Sequence, residues 1–185
     1  MPYREPFDFN ALLTFFAARA IPPVEQVTGD EYSRSMSLMG APARVSITDD
    51  DGALTCRIVA DVPLPLIDIA EKIKRLFDLD ALPEEISDGL GRDAGLAPIV
   101  ARSPGLRLPG AWDPFEKAVR AIVGQQISVA AATTVMGKIA QQFGTESPYG
   151  LLFPGPEQLS VLTEDALPMP KRRATALRDL ARAVR

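Results

Sequence analysis

The spacing of hydrophobic residues changes along the chain, and the first region has the spacing of a helix. Leu12, Phe15 and Phe16 recur at intervals of one and three to four residues, which places them on one helix face. Asp8 precedes them and belongs to the residue types that cap helix N-termini, and two consecutive prolines follow. We therefore predict a helix over 9–20 with an aromatic face.

From residue 24 the hydrophobic period becomes two, which is typical of strands with one buried face. Strands are predicted over 32–38, 44–48 and 54–59. Three aspartates and a glycine at 49–52 favour a hairpin turn between the last two strands. A helix over about 66–76 would cover one face of this sheet, and the other face is expected to be open and polar. The first part of the chain is therefore predicted to be a small α+β domain.

After residue 80 the strand pattern does not return, and each segment reads as a helix between prolines and glycines. We therefore predict two domains, an α+β domain over 1–80 and a helical domain over 81–185. The clearest helix start is Asp113, a good N-cap, followed by Pro114 at the first helical position. Glu116 can complete a capping box with this aspartate.

Two further signals predict the connection that follows this helix. Gly124 can take the left-handed conformation that ends a helix, and Ser128 can cap the next helix, which would run to Phe143 before Gly144. Pro168-Met169-Pro170 leads into a last helix. The region is therefore predicted to be built from short, capped helices.

The composition removes several kinds of chemistry. The 185 residues include no histidine and one cysteine, Cys56, so the usual zinc sites, Ser-His-Asp triads and Cys-His dyads are excluded. We expect no cofactor and no metal. The first ten residues lack the apolar run of a signal peptide, and no stretch approaches 18 uninterrupted apolar residues. These features predict a soluble, cytoplasmic protein.

The charge is distributed unevenly between the two regions. The net charge of −4 has the wrong sign for a typical duplex-binding domain. Residues 1–100 hold nine basic and 17 acidic residues, whereas residues 101–185 hold 11 basic and seven acidic residues. If the protein binds DNA, the second region is expected to hold it.

Six stretches of the sequence, in this order, resemble a known family. They are Leu12-Leu13-Thr14-Phe15-Phe16-Ala17-Ala18-Arg19-Ala20, Arg75-Leu76-Phe77-Asp78-Leu79-Asp80, Pro104-Gly105-Leu106-Arg107-Leu108-Pro109-Gly110 with Asp113-Pro114-Phe115-Glu116, Ala118-Val119-Arg120-Ala121-Ile122-Val123-Gly124-Gln125-Gln126-Ile127-Ser128-Val129-Ala130, Phe153-Pro154, and Met169-Pro170-Lys171-Arg172-Arg173-Ala174. The chain resembles the bacterial AlkA-type 3-methyladenine DNA glycosylases over essentially its whole length. One such stretch would mean little, but their common order and compatible spacing make chance an unsatisfactory explanation.

The resemblance implies a fold and an activity. The fold would be an N-terminal antiparallel sheet like that of the TATA-binding protein, with helices, followed by part of an all-α helix-hairpin-helix glycosylase domain. Enzymes of this family kink double-stranded DNA from the minor groove, flip out an alkylated base and cleave its N-glycosidic bond as part of base-excision repair. An aspartate stabilises the developing sugar cation. The resemblance also implies a bacterial protein, which we expect to be a monomer.

Carried over to this sequence, the family motifs assign roles to two places. Gly124, Gln125, Gln126 and Ser128 match the turn that presents the inserting wedge, and the wedge itself would be Gln126. A polar turn that caps two helices is the alternative. Phe15 matches an aromatic residue of the base pocket, where its ring would stack on a cationic base. An ordinary core phenylalanine is the alternative here, because Leu12 and Phe16 share its periodicity.

A basic run at the start of the last helix is a further candidate. Lys171, Arg172 and Arg173 match family residues and are candidate phosphate contacts, although a solvated helix face explains the run equally well. The DNA-gripping Leu-Pro-Gly-x-Gly hairpin of the family is expected after the last helix. Leu108-Pro109-Gly110 imitates it but lacks the second glycine, so we interpret it as the turn before Asp113.

The catalytic aspartate of the family is also expected beyond Arg185, so no catalytic residue is assigned within these 185 residues. The favoured interpretation is a glycosylase chain that is inactive alone. A non-catalytic module that binds DNA or a partner is the second interpretation, and an unrelated ligand-binding α+β protein is the third. The sequence does not define the lesion preference.

Overall fold

A computed structural model describes residues 1–50 and 52–185 and shows an antiparallel sheet followed by helices. The elements in chain order are α1 Phe9–Ala17, β1 Glu25–Thr28, β2 Glu31–Leu38, β3 Ala41–Asp49, β4 Leu54–Ala60, α2 Leu66–Phe77, α3 Pro83–Leu90, α4 Ala97–Arg102, α5 Pro114–Val123, α6 Val129–Phe143, α7 Pro156–Ser160, a 3-10 turn Glu164–Ala166 and α8 Lys171–Val184. The predicted α+β class is confirmed. The predicted turn at 49–52 includes Asp51, which lies outside the described residues. In the described part of the chain, no helix is long and apolar enough to cross a membrane.

The sheet has the strand order β1-β2-β3-β4, with every neighbouring pair antiparallel. Its core face pairs Tyr32 with Ile47 and Met36 with Ala43, and all four side chains are buried. Helices α1 and α2 pack on this face, and α2 contributes the predicted apolar stripe. The stripe consists of Ile69, Ile73, Leu76 and Phe77.

The opposite face of the sheet differs from the expectation that it is open. Ser33 and Ser35 are buried although they are polar. The Ser35 hydroxyl donates a hydrogen bond to the Leu151 carbonyl, so the segment before α7 covers this part of β2. The alternation of polar and apolar residues indicated one buried face, whereas the helical half of the chain buries the second face locally.

Helix α1 begins where the sequence predicts and ends three residues earlier. The Asp8 carboxylate accepts a hydrogen bond of 2.8 Å from the Ala11 amide, which confirms the predicted N-cap. The chain leaves the helix after Ala17. Ile21 and Val24, only a few residues later, are fully buried in the helical half of the molecule, so the chain has to turn away from the helix axis here.

The molecule has two hydrophobic cores, and each contains residues from both halves of the chain. One unites the sheet with α1 and α2 and also contains Trp112 from the segment before α5. The other unites α5, α6 and α8 and also contains Ile21 and Val24 from the segment before β1. Each half therefore sends a segment into the core of the other, and the division at residue 80 stays a prediction.

The segment before α5 lies directly against the end of α2. The Gly110 amide donates a hydrogen bond of 2.9 Å to the Leu76 carbonyl. A Cβ atom at Gly110 would lie 1.9 Å from the Arg75 carbonyl oxygen, a distance that no side chain tolerates. Close approach of two backbones therefore explains why glycine stands here.

We expect Gly110→Ala to lower the free energy of unfolding by roughly 2–4 kcal/mol, because the added methyl group would push the segment away from α2. Gly89→Ala in α3 is the matched control, because nothing lies within 4 Å of its added Cβ. In this helix the control should be neutral or stabilising by up to about 1 kcal/mol. Urea unfolding of both variants measures the difference, and equal stability of Gly110→Ala and the unmodified chain would contradict the packing argument.

Candidate DNA-binding site

The turn between α5 and α6 is exposed and reverses at the predicted wedge residue. Gln125 and Gln126 are exposed, and Gln126 has a φ of 58°, in the left-handed region that non-glycine residues seldom adopt. The expectation that Gly124 takes this conformation is wrong. Its φ is −74°, because its amide still makes the helical hydrogen bond to the Arg120 carbonyl. The reversal therefore falls two residues later, at Gln126.

The predicted N-caps on both sides of this turn are present. The Asp113 carboxylate accepts a hydrogen bond of 3.0 Å from the Glu116 amide, and the Ser128 hydroxyl accepts one of 3.2 Å from the Ala131 amide. The predicted capping-box role of the Glu116 side chain is wrong, because its carboxylate binds Arg34 instead. Ser128, a candidate DNA contact, thus caps the N-terminus of α6.

Phe15 lies in a cleft and is not an ordinary core residue. Its side chain is 36% exposed, whereas its neighbour Phe16 is 7% exposed and packs against Tyr32 and Phe77 in the first core. The guanidinium of Arg19 stacks over the Phe15 ring, 3.8 Å from its centroid. One flat face of Phe15 is therefore in contact with the Arg19 guanidinium.

The cleft beside Phe15 adjoins the turn between α5 and α6. It has a volume of about 190 Å³, and its walls include Phe15, Trp112 and Arg120. A second, shallower cleft of about 160 Å³ lies against Gly124 and the start of α6. Arg19 and Arg120 line both clefts. The aromatic cleft and the cleft at the turn therefore adjoin through two shared arginines.

Four charged side chains form a cluster beside the aromatic cleft, and Glu25, Glu116 and Arg120 of this cluster line it. Arg34 donates to the Glu116 carboxylate at 2.7 Å and to the Glu25 carboxylate at 3.1 Å. Arg120 completes the cluster at 3.0 Å from Glu25 and 3.6 Å from Glu116. The guanidinium of Arg34 also lies 5.2 Å from the Trp112 ring. Two positive and two negative charges balance, so the cluster is electrically neutral.

The electrostatics of this cluster keep the Glu25 carboxylate ionised. Burial raises the pKa of Glu25, but the charges of Arg34 and Arg120 outweigh this effect and hold its pKa below the ordinary value. Hydrogen bonds from the Ile21 amide and the Tyr32 hydroxyl act in the same direction. Burial and the neighbouring Glu25 raise the pKa of Tyr32, and Glu116 holds the pKa of Arg34 high despite its burial. Both oxygens of Glu25 are therefore occupied by donors.

The basic run at the start of α8 divides into residues with different surroundings. The Lys171 ammonium lies 3.1 Å from the Asp165 carboxylate, and both side chains are exposed. Arg172 is exposed as well. Arg173 is half-buried and donates a hydrogen bond of 3.1 Å to the Val123 carbonyl, the last residue of α5. Of the three predicted phosphate contacts, Arg173 thus binds the backbone at the end of α5, whereas Lys171 and Arg172 are exposed.

The charged cluster is the part of the site that sequence reasoning missed. A signal was present in the strand, because Arg34 stands between Tyr32 and Met36 at positions that face the core. Glu116 shows the same conflict in a helix, since it shares the buried face of α5 with Val119. A charged residue in an apolar register indicates a buried partner, although the partner itself cannot be read from the pattern.

Comparison with known proteins gives relatives along the whole chain. The family described as AlkA N-terminal domain matches residues 1–113. DNA-3-methyladenine glycosylase 2 of Escherichia coli (strain K12) is 36% identical over 189 residues, which cover 98% of this chain and 65% of that protein. The probable bifunctional transcriptional activator/DNA repair enzyme AlkA of Mycobacterium tuberculosis (strain H37Rv) is 35% identical, covering 97% of this chain and 37% of the relative. The chain thus spans between about one third and two thirds of the length of these curated relatives.

A solved structure has the same fold. The 3-methyladenine DNA glycosylase from Archaeoglobus fulgidus superposes with a TM-score of 0.82 at 20% identity, covering 98% of this chain and 65% of that protein. At this identity the likeness concerns the fold alone. It shows that the arrangement of sheet and helices seen here also occurs in a larger glycosylase structure.

We expect Glu25→Gln to destabilise the protein at neutral pH by about 3–5 kcal/mol, because Arg34 and Arg120 would lose a buried counter-charge. The effect should depend on pH. The pKa of Glu25 is depressed by folding, so its contribution is fully present above its ordinary pKa of 4.5 and is lost as the pH falls through the lower folded-state pKa.

Unfolding free energies measured between pH 7 and pH 3 test this expectation. The difference between the unmodified chain and Glu25→Gln should shrink toward the acidic end. Glu157→Gln, which removes the same charge from the exposed surface of α7, should leave the acid dependence almost unchanged. A constant difference across the whole pH range would show that folding does not lower the pKa of Glu25.

Proposed function

The chain belongs to the family of the AlkA N-terminal domain, and on this premise we propose that it serves base-excision DNA repair. It binds double-stranded DNA that contains an alkylated base of the 3-methyladenine type and helps to turn that base out of the duplex. The N-glycosidic bond is then hydrolysed in the repair reaction. We assign this work to a monomer in the bacterial cytoplasm.

The observation that carries the proposal is the continuity of an exposed turn with an aromatic cleft. A protein that extrudes a nucleotide needs a group to fill the gap and a pocket to receive the base, and the two have to be neighbours. Gln126 stands at the reversal of the turn, and Phe15 lines the adjoining cleft. Arg19 and Arg120 join the two surfaces.

The side chain of Gln126 suits the gap left in a base stack. An amide carries both hydrogen-bond donors and an acceptor, so it can pair with the base that loses its partner. The left-handed backbone at Gln126 is also a strained conformation for a residue with a Cβ. Strain of this kind at an exposed turn supports a functional role for this side chain.

The cleft suits a flat, positively charged base. The Phe15 ring has a face that already attracts the guanidinium of Arg19. An alkylated base with a positive charge would take the same position once Arg19 moves aside. Lys171 and Arg172 at the exposed start of α8 contribute long-range attraction to phosphates. Arg173 instead donates a hydrogen bond to the last carbonyl of α5, directly before the turn.

The chemistry of cleavage requires a carboxylate that the cleft does not offer. Glu25 and Glu116 line the cleft, but Arg34 and Arg120 neutralise both of them. A carboxylate in such pairs cannot also approach a developing sugar cation without breaking the cluster. This observation agrees with both candidate functions, a glycosylase chain that is inactive alone and a module that binds DNA without cleaving the base.

We expect Gln126→Gly to lower the affinity for a duplex with an abasic site by on the order of tenfold, or about 1.4 kcal/mol, because the group that fills the gap is lost. Glycine adopts a positive φ without strain, so the stability should change by no more than about 1 kcal/mol. Gln141→Ala on the exposed face of α6 serves as the control and should bind like the unmodified chain.

Fluorescence anisotropy with abasic and intact duplexes at several salt concentrations measures both affinities. Binding that does not weaken as the salt concentration rises would argue against phosphate recognition. Equal affinity of Gln126→Gly and the unmodified chain would remove Gln126 from the wedge role.

We expect the pure chain of 185 residues to release no 3-methyladenine from alkylated DNA, because the carboxylates at its cleft are occupied. Chromatography of the soluble fraction after incubation measures the free base. An active DNA-3-methyladenine glycosylase and a sample without protein provide the two reference values. Release that increases with the concentration of this chain would contradict the expectation and make Glu25 and Glu116 the first residues to replace.

A further inference from the structure

Arg120 connects the two parts of the site, and its contacts suggest more than a structural salt bridge. We infer that Arg120 is a positioning residue, which sets the distance between the Phe15 face and the turn that carries Gln126. This inference rests on the function proposed above and deepens it. It concerns how the wedge and the base pocket are held at one spacing.

The contacts of Arg120 reach elements from both halves of the chain. One nitrogen of its guanidinium donates to the Arg19 carbonyl, just beyond the end of α1 and four residues after Phe15. Another nitrogen lies 3.0 Å from the Glu25 carboxylate at the start of β1 and 3.6 Å from the Glu116 carboxylate. A single planar group therefore holds three acceptors, which belong to the segment after α1, to β1 and to α5.

The position of Arg120 within α5 transmits these contacts to the turn. The Gly124 amide donates to the Arg120 carbonyl at 2.9 Å, so the backbone of Arg120 makes the last helical hydrogen bond before the reversal. Any shift of Arg120 relative to α1 would therefore move Gly124 and the two glutamines that follow. The side chain of Arg120 thus binds the segment after α1, and its backbone carbonyl binds the first residue of the turn.

A second arginine holds the turn from the opposite side. Arg173 in α8 donates to the Val123 carbonyl at 3.1 Å, immediately before Gly124. The end of α5 is thus attached to α8 through Arg173 and to α1 through Arg120. An insertion that pushes against Gln126 would meet resistance from both helices.

The burial of the cluster explains why this connection is rigid. Arg34, Glu25 and Glu116 are all at least nine-tenths buried, and each has a charged partner. Moving one of them would leave a buried charge without its partner, which is strongly destabilising. Because catalytic and binding groups lose much of their effect when they are displaced by about 1 Å, a rigid spacing has direct value here.

Lysine cannot replace the guanidinium in this position. An ammonium group keeps the positive charge beside Glu25, but it lacks the planar fork that reaches a carbonyl and two carboxylates at once. Arg120→Lys therefore separates the charge from the geometry. Arg120→Met removes both, and Lys138→Met on the exposed face of α6 removes one positive charge away from the site.

The first experiment compares the affinities of these chains for an abasic duplex and an intact duplex, at a temperature where all are folded. The unmodified chain and Lys138→Met should prefer the abasic duplex to the same degree. In Arg120→Met and Arg120→Lys this preference should fall by on the order of tenfold or more, because wedge and cleft no longer keep their spacing. If Arg120→Met does not fold, the result of Arg120→Lys decides.

The second experiment follows hydrogen–deuterium exchange in the absence of DNA. Amides at 125–127 and at 16–19 should exchange faster in the Arg120 variants, while those of α2 and of the sheet should keep their rates. Lys138→Met should match the unmodified chain in every segment. A merely structural loss would raise exchange throughout the protein and would leave the preference for the abasic duplex unchanged.

The outcomes separate the inference from the proposed function. If the unmodified chain shows no preference for the abasic duplex, the proposed function fails. If it shows the preference and folded Arg120→Lys and Arg120→Met retain it, the positioning role of Arg120 is overturned while the proposed function stands. Loss of the preference together with local exchange at 125–127 supports both.

Discussion

The structure depends on a neutral cluster of four charges, three of them buried, that joins a sheet to a helix. Arg34 lies in the core register of a strand, where only the carboxylates of Glu25 and Glu116 make its burial acceptable. Glu116 and Arg120 come from the helical half of the chain, and each also pairs with a charge of the first half, Glu116 with Arg34 and Arg120 with Glu25. Buried ion pairs add little net stability but penalise every arrangement that separates the partners. The cluster therefore specifies how the two halves meet.

This constraint also shapes the surface above it. Arg120 extends the cluster to the edge of the molecule, where the aromatic cleft and the turn between α5 and α6 adjoin. Phe15 is kept out of the core because Phe16 occupies the place against Tyr32 and Phe77. Phe15 therefore stays partly exposed at the cleft, where the Arg19 guanidinium stacks on its ring.

Local rules of sequence predicted much of the fold. The caps at Asp8, Asp113 and Ser128 depend on a side chain and an amide three residues later, so they could be read directly. The strands predicted over 32–38, 44–48 and 54–59 followed from their period of two, whereas β1 was not predicted. The errors lie where distant segments decide, as in the early end of α1, the burial of Ser35 and the reversal at Gln126, which falls two residues after the glycine that was expected to make it.

The sequence by itself determined the caps, the alternating strands, the family and the segment that carries the proposed wedge residue, because these depend on residue order over short distances. Only the tertiary structure decided that Phe15 is accessible, that Arg173 supports a backbone carbonyl, and that Glu25, Arg34, Glu116 and Arg120 meet. The physical reason is that a buried charge needs a partner, and three of the four ion pairs of this cluster join residues 9 to 95 positions apart in the chain. No local pattern encodes which distant charge will be chosen, since that choice depends on how two packed cores come together.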